Sequence, residues 1–413
     1  MITRRSALLA ASGLALLAAA GAAGPARAAE QVVKIGIDAS LTGGDAQSAL
    51  LVKDGALLAI DEANAGHVVP GVKFEAMVLD DGTATAGQYD PAQGATNARK
   101  MVADHNVVAA VGPQMSGVGK AMAPILSWGD LATITPSSTN PDLTDPKFAQ
   151  QYRPAGKPIY FRTVATDAFQ GPNMANYFAD TLKVKSVYIL DDTGAYGEGL
   201  ANAFQAQAEK KGIKVLGHDK LDPKAADYSA VLTKIKQLNP DSLYYGGVLQ
   251  AGVKLAKQAY DILPHEMPKA GGDGLSGPEM LTAVGYPANE GWYSTNASPH
   301  VTEDPAAQAW VNRYKAKFNV LPDDYAITAY DATEVIIDAV RRVAATGKPV
   351  TRSAVRDAIQ TGKVKTLQGV VSFDANGDIE DRVISIFQIH HDPAYPADDM
   401  IHQFKYIGVA PQS

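Results

Sequence analysis

No cysteine occurs anywhere in the 413 residues. That excludes disulfides, thiolate-held zinc, iron–sulfur clusters, thiol catalysis and a lipidated N-terminal cysteine. Histidine is sparse, with eight residues: His67, His105, His218, His265, His300, His390, His391 and His402. None falls in H-E-x-x-H or a related ligand spacing. The adjacent pair His390-His391 would point to opposite faces of a strand, so no metal site is expected there. There is no G-x-S-x-G nucleophile elbow and no G-x-x-x-x-G-K-[ST] phosphate loop. Basic residues are also in deficit. Lys and Arg number 37 against 44 Asp and Glu, a formal charge of −7. The first 28 residues hold Arg4, Arg5 and Arg27 and no acid, so the remaining 385 carry 34 bases, 44 acids and a charge of −10. Such a surface does not attract phosphate backbones, and nucleic acid is not an expected partner. No enzyme chemistry, metal or cofactor is signalled.

Long apolar runs are missing too, except at the N-terminus. Met1–Arg5 is a short basic segment, Ala7–Ala23 is a run of Ala, Leu and Gly, and Ala26-Arg27-Ala28 fits the small-x-small cleavage pattern. The run is short and weakly apolar for a stable membrane span. Residues 1–28 are therefore expected to be a cleaved signal peptide, with Ala29 the mature start. Thr3–Leu8 has some twin-arginine character, which leaves the export route open. A hydrophobic content of 46% and a charged content of 20% fit a globular chain, whose length suggests two or three domains.

What is present is an alternation of strands and helices. Short β-branched runs at Val32–Ala39, Val72–Leu79, Val107–Val111 and Leu131–Thr135 alternate with helical patterns at Lys53–Asn64, Pro91–His105 and Ser116–Ser127. The rhythm repeats with strands at Ser186–Leu190, Ile213–Gly217 and Ser242–Tyr245 and helices at Ala195–Lys211, Tyr228–Leu238 and Ala251–Ile262. This order predicts an α/β chain with two doubly wound parallel-sheet lobes. Further on, Ala326–Thr346 reads as a long helix. Asn376-Gly377 reads as a hairpin turn between strands Val370–Phe373 and Val383–Gln388.

Open α/β sheets bind ligands beyond the carboxyl ends of their strands. Four loops there attract attention. Gly112–Ser116 leads into a helix and places a hydroxyl beside free backbone N–H groups, a setting suited to a carboxylate. Thr135–Pro141 offers the hydroxyls of Ser137, Ser138 and Thr139. Asp191–Gly199 presents Tyr196 on a glycine-flexed turn. Gly272–Gly277 formally matches G-x-G-x-x-G before a helix expected at Pro278, but Asp273 would place a carboxylate beside a pyrophosphate. The loop reads instead as one that offers Asp273 to a cationic group. A carboxylate opposite hydroxyls and N–H groups matches an α-amino acid.

Ordered along the chain, Ile134–Thr144 (ITPSSTNPDLT), Phe161-Arg162-Thr163 with Asp167 and Gln170-Gly171-Pro172, Tyr196–Gly199 and Tyr244–Gly247 resemble the branched-chain amino acid-type (leucine/isoleucine/valine-binding-like) periplasmic substrate-binding proteins of ABC transporters. The resemblance covers nearly the whole mature chain. It implies a type I periplasmic-binding fold, with crossovers near Thr163–Thr166, Thr295–Ser298 and Thr366–Gln368. One lobe would comprise residues 29–165 and 298–367, the other 166–297 and 368–413. Carboxylate contacts are implied for Ser116, Ser137 and Thr139, with Met115 and Ser138 beside them. Asp273 is implied as the ammonium partner, Tyr196 as the closing residue and Tyr325 as an aromatic wall. Ser48 stands where members often carry an aromatic, Val248 where they carry an aromatic or polar residue, and Asp273 where many carry Glu. The implied protein is a periplasmic monomer that captures a small amino acid or related carboxylate and hands it to an inner-membrane ABC permease. A ligand-sensing domain, or an enzyme on the same architecture, stays open.

Overall fold

The computed structural model describes residues 30–412. The signal peptide expected at residues 1–28 lies outside them. The chain opens with β1 (Gln31–Ala39), α1 (Ala46–Ala65), β2 (Val72–Asp80), α2 (Pro91–Ala103), β3 (Val107–Val111), α3 (Ser116–Trp128), β4 (Ala132–Thr135) and β5 (Tyr160–Arg162). These strands form a five-stranded parallel sheet in the order β2-β1-β3-β4-β5. All five residues of β3 are buried, as expected of a strand covered on both faces.

The second half runs α4 (Asp167–Asp180), β6 (Ser186–Asp191), α5 (Ala195–Lys210), β7 (Lys214–Lys220), α6 (Ser229–Leu238), β8 (Ser242–Gly246), α7 (Leu249–Ile262), β9 (Lys269–Gly271) and β10 (Trp292–Asn296). Then come α8 (Gln308–Phe318), α9 (Asp324–Ala345), α10 (Arg352–Gln360), β11 (Ser385–Ile389) and β12 (Phe404–Val409). The second sheet has seven strands in the order β12-β11-β10-β9-β8-β6-β7. Its first-formed part is parallel, and β11 and β12 add antiparallel to one edge. In both sheets the order reverses beside the first strand, so each has a switch point where a cleft opens.

The chain passes between the sheets three times. The first passage follows β5 through Thr163–Thr166, and the second follows β10. The two lie side by side, with the Ala165 N–H donating to the Ala297 carbonyl at 2.7 Å. The third passage departs from expectation. Leu367 and Gln368 donate their N–H groups to Asp331 of α9 at 3.1 Å, and Gly377 accepts the Arg162 N–H at 3.2 Å. Phe373 packs on Phe161 with ring centroids 5.1 Å apart. Because α9 packs on α1, these bonds hold residues 367–378 against the first sheet's layers, and the crossing falls between Asp378 and Ser385.

The turn at Asn376-Gly377 forms, with the Asp374 carboxylate accepting the N–H groups of Asn376, Gly377 and Asp378. The hairpin expected around it does not. Gly369–Val371 pairs with Val364–Thr366, β11 pairs with β10 and β12, and only a Phe373–Ile379 bridge joins the two arms. The helix expected from Pro278 begins there but is short, seven residues that pass into a π turn at Met280–Val284. Among the described residues, no helix is long and apolar enough to cross a membrane.

Candidate functional site

The loops after β1, β3 and β4 in one half face those after β6, β8 and β9 in the other. Between them lies a cavity. Asp45, Ser48, Gln114, Met115, Ser116 and Ser137 line it from the first half, together with Tyr325 of α9. Tyr196, Val248, Leu249, Asp273, Gly274 and Gly277 line it from the second. Hydrogen bonds cross directly between the halves: Leu249 N–H to Asp45 at 3.1 Å, Gln47 N–H to Glu279 at 2.9 Å, and the Asn140 side-chain amide to the Ala195 carbonyl at 2.7 Å. The cleft is closed.

On one wall, the first turn of α3 brings Ser116 to the cavity. Its hydroxyl accepts the Asn140 N–H at 3.2 Å and lies 3.3 Å from the Ser138 hydroxyl, which donates to it. The open N–H groups of that turn point the same way and carry the positive end of the helix dipole. Ser137 donates its hydroxyl to the Gln114 carbonyl at 3.1 Å, which locks the β3 and β4 loops together. The tight entry to the β3 loop requires Gly112. Its φ is +107°, and an added Cβ would lie 2.3 Å from the Asp38 carbonyl oxygen.

The opposite wall is acidic. Asp273 is 8% exposed and its Oδ1 accepts two short hydrogen bonds, from the Tyr196 hydroxyl at 2.6 Å and the Gln170 amide at 2.7 Å. The Tyr196 hydroxyl in turn accepts the Gly274 N–H at 2.9 Å. Gln170 is fixed from three sides: its amide nitrogen also donates to Asp167 at 2.8 Å, and its oxygen accepts from Asp273 N–H at 3.0 Å and from Thr295 at 2.7 Å. Burial raises the Asp273 pKa above the usual carboxylate range, with Tyr196, Tyr325 and Gln170 opposing it. Burial, then the charge of Asp273, pushes Asp167 up to about 7. A wall that holds two buried acids favours a cation between them and the cavity.

Six of the eight residues singled out in the sequence line the cavity together: Met115, Ser116, Ser137, Tyr196, Asp273 and Tyr325. Ser138 and Thr139 do not. Ser138 lies beneath Ser116, accepts the Tyr160 hydroxyl at 3.0 Å and gives its carbonyl to Arg162 at 2.8 Å. Thr139 is fully buried, and its carbonyl accepts the Asp167 N–H at 2.9 Å. Both follow the chain as it leaves the rim, and Ser138 supports the loop through its side chain, Thr139 through its backbone. Asp45, Gln114, Leu249 and Gly277 were not singled out. Their signal was available: each lies just beyond the carboxyl end of a strand, or of the short turn after one. Gln170 sits inside a helical pattern and carried no such signal.

Two α/β halves closed over a cavity with polar groups on opposite walls define a solute-binding protein of the two-lobed kind. Comparison with known proteins places it more narrowly. Residues 32–392 match the family model described as periplasmic binding protein. The Leu/Ile/Val-binding protein homolog 3 of Brucella melitensis is 33% identical over 376 residues, covering 91% of this chain and 96% of that one. The leucine-, isoleucine-, valine-, threonine- and alanine-binding protein of Pseudomonas aeruginosa is 30% identical, covering 92% and 95%. Among solved structures, a leucine-binding protein of Thermotoga maritima superposes with a TM-score of 0.77 at 25% identity, covering 92% of this chain and 98% of that one. The chain belongs to the periplasmic binding protein family, and its fold is the type I fold of that family.

Proposed function

We propose that this protein captures an α-amino acid between its two lobes outside the cytoplasm and delivers it to an inner-membrane ABC permease. The observation that carries the reading is the polarity of the cavity. Ser116 and Ser137, with helix N–H groups, face one side, and the buried Asp273–Tyr196–Gln170 cluster faces the other. That is the pattern of a carboxylate and an ammonium held a bond or two apart. The relatives named for leucine, isoleucine, valine, threonine and alanine support the same class of ligand. Membership in a family of periplasmic binding proteins supports export, with residues 1–28 removed and Ala29 the first residue of a monomeric mature protein. On this reading residues 29–165 and those from 298 to about 380 form one lobe, and 166–297 with the remaining tail form the other.

Closure is the mechanism. Both walls must touch the ligand at once, so the ligand favours the closed arrangement over an open one by the contacts it adds. Calorimetric titration with amino acids, paired with small-angle scattering, tests the proposal. A saturating amino acid should bind and reduce the radius of gyration. Binding only of carboxylates that lack an amine, or a scattering profile unchanged at saturation, would overturn it.

A further inference from the structure

At one end of the cavity, hydrogen-bond acceptors accumulate without donors. Asp45 holds the N-cap position of α1 but caps nothing with its side chain. One of its carboxylate oxygens takes the Leu249 N–H of the other lobe at 3.1 Å, and the second, Oδ2, has no partner. Asp45 is 2% exposed and lines the cavity. Glu279 crosses from the other side. Its Oε1 takes the N–H groups of Gln47 and Ser48 at 2.9 and 3.4 Å, and its Oε2 has no partner. That oxygen lies against Gly277, a cavity-lining residue where an added Cβ would come within 2.9 Å of it and 3.4 Å of Ser48 Cβ. Gln114 completes the group. Its amide nitrogen donates to Ser48 Oγ at 3.2 Å, which leaves its buried Oε1 unpartnered.

Two of the three orphaned acceptors belong to side chains bonded to Ser48, the third to Asp45 about one helical turn before it, and among the described residues no cavity-lining side chain is basic. An aliphatic ligand tip would leave all three buried atoms without a partner. An ammonium offers three N–H donors and a guanidinium five, each with a positive charge. Met115, Val248 and Leu249 also line the cavity and give it apolar surface suited to a methylene stem.

We infer that the region around Asp45, Glu279 and Gln114 is a subsite for a cationic nitrogen on the ligand's side chain, so that the amino acid held here is a basic one. The inference rests on the amino-acid reading above and narrows it.

Calorimetry with L-lysine, L-arginine and L-leucine as probes decides between them. At least one basic probe should bind no less than about 30-fold tighter than leucine, since the site's buried acceptors reject a ligand that cannot pair them. Asp45→Asn should weaken that basic probe by about 30-fold or more and change leucine by less than about 3-fold. Glu279→Gln serves as the second variant if Asp45→Asn does not fold, with the same expected pattern. Leucine binding tighter than both basic probes, or an Asp45→Asn protein with unchanged preference, would overturn this inference and leave the amino-acid reading standing. If no amino acid binds while benzoate does, both fail together.

Discussion

Asp273 and Ser116 line the same cavity but differ in what replaces them. On the proposed reading Asp273 meets the ligand's ammonium, and the Tyr196 hydroxyl and Gln170 amide nitrogen donate to its carboxylate. Asp273→Asn keeps the shape and removes the charge, so amino-acid affinity should fall by about 2–5 kcal/mol, or roughly 30- to 5,000-fold. Ser116→Ala removes one hydroxyl from a wall that keeps its helix N–H groups, and about 0.5–2 kcal/mol should be lost. Calorimetry on the two variants measures both, and an Asp273→Asn protein that binds like the parent would refute the ammonium assignment. The residues that could be found in the sequence share one trait. Ser116, Ser137, Tyr196 and Asp273 are polar and stand just past strands that periodicity locates. Gln170 could not be found that way. It lies in the second turn of α4, and only the meeting of α4 with the β9 loop sets its amide 2.7 Å from Asp273, across 103 residues.

Elements with strong periodicity were legible almost to the residue. Val107–Val111 and Ser116–Trp128 match what apolar spacing and the helix start predict. Errors arose where a local signal had to choose a distant partner. The Asn-Gly turn is real, but its arms join different neighbours because the edge of the second sheet and the Val364–Thr366 strand offer longer ladders than the arms offer each other. Short strands such as Tyr160–Arg162 and Lys269–Gly271 are three residues each, below the length at which alternation is readable. Gly112 shows how tightly one loop is built. A side chain there meets backbone at 2.3 Å and must adopt a φ of +107°. Gly112→Ala should lower stability by about 1–3 kcal/mol or more. Thermal unfolding measures this, and a variant as stable as the parent would show that the loop can relax.

The two-lobed plan followed from the repeated strand–helix order, but the third crossing did not, because bonds from Asp331 and Arg162 decide which half owns residues 367–378. The whole molecule also carries a property that no stretch of sequence displays, a set of acids buried by the closing of layers. Asp45 is pushed up to about 8, Asp167, Asp323 and Glu334 to about 7, and Asp81, Asp192 and Asp331 to about 6, burial being the leading cause in each. Unfolded, these groups titrate near 4. Between about pH 4 and pH 8 the folded state therefore binds more protons than the unfolded one, and stability falls as pH rises through that window. His300, which burial lowers but Asp324 and Glu303 together raise on balance, acts in the same sense, since its stabilisation is lost as pH climbs past its folded value. The acids shifted the other way, Asp104, Asp219 and Asp227, are held down by surface partners and matter only below the ordinary carboxylate range. The empty protein should thus melt several degrees higher at pH 5 than at pH 8 by scanning calorimetry. A ligand cation beside the wall of Asp273 and Asp167 favours ionised carboxylates, and Asp167 lies at about 7, so saturation should flatten the decline, and binding at pH 7 should release protons, seen as a binding enthalpy that varies with the buffer's ionisation enthalpy. A melting temperature that rises from pH 5 to pH 8 in the empty protein would mean that these carboxyl groups are solvated after all.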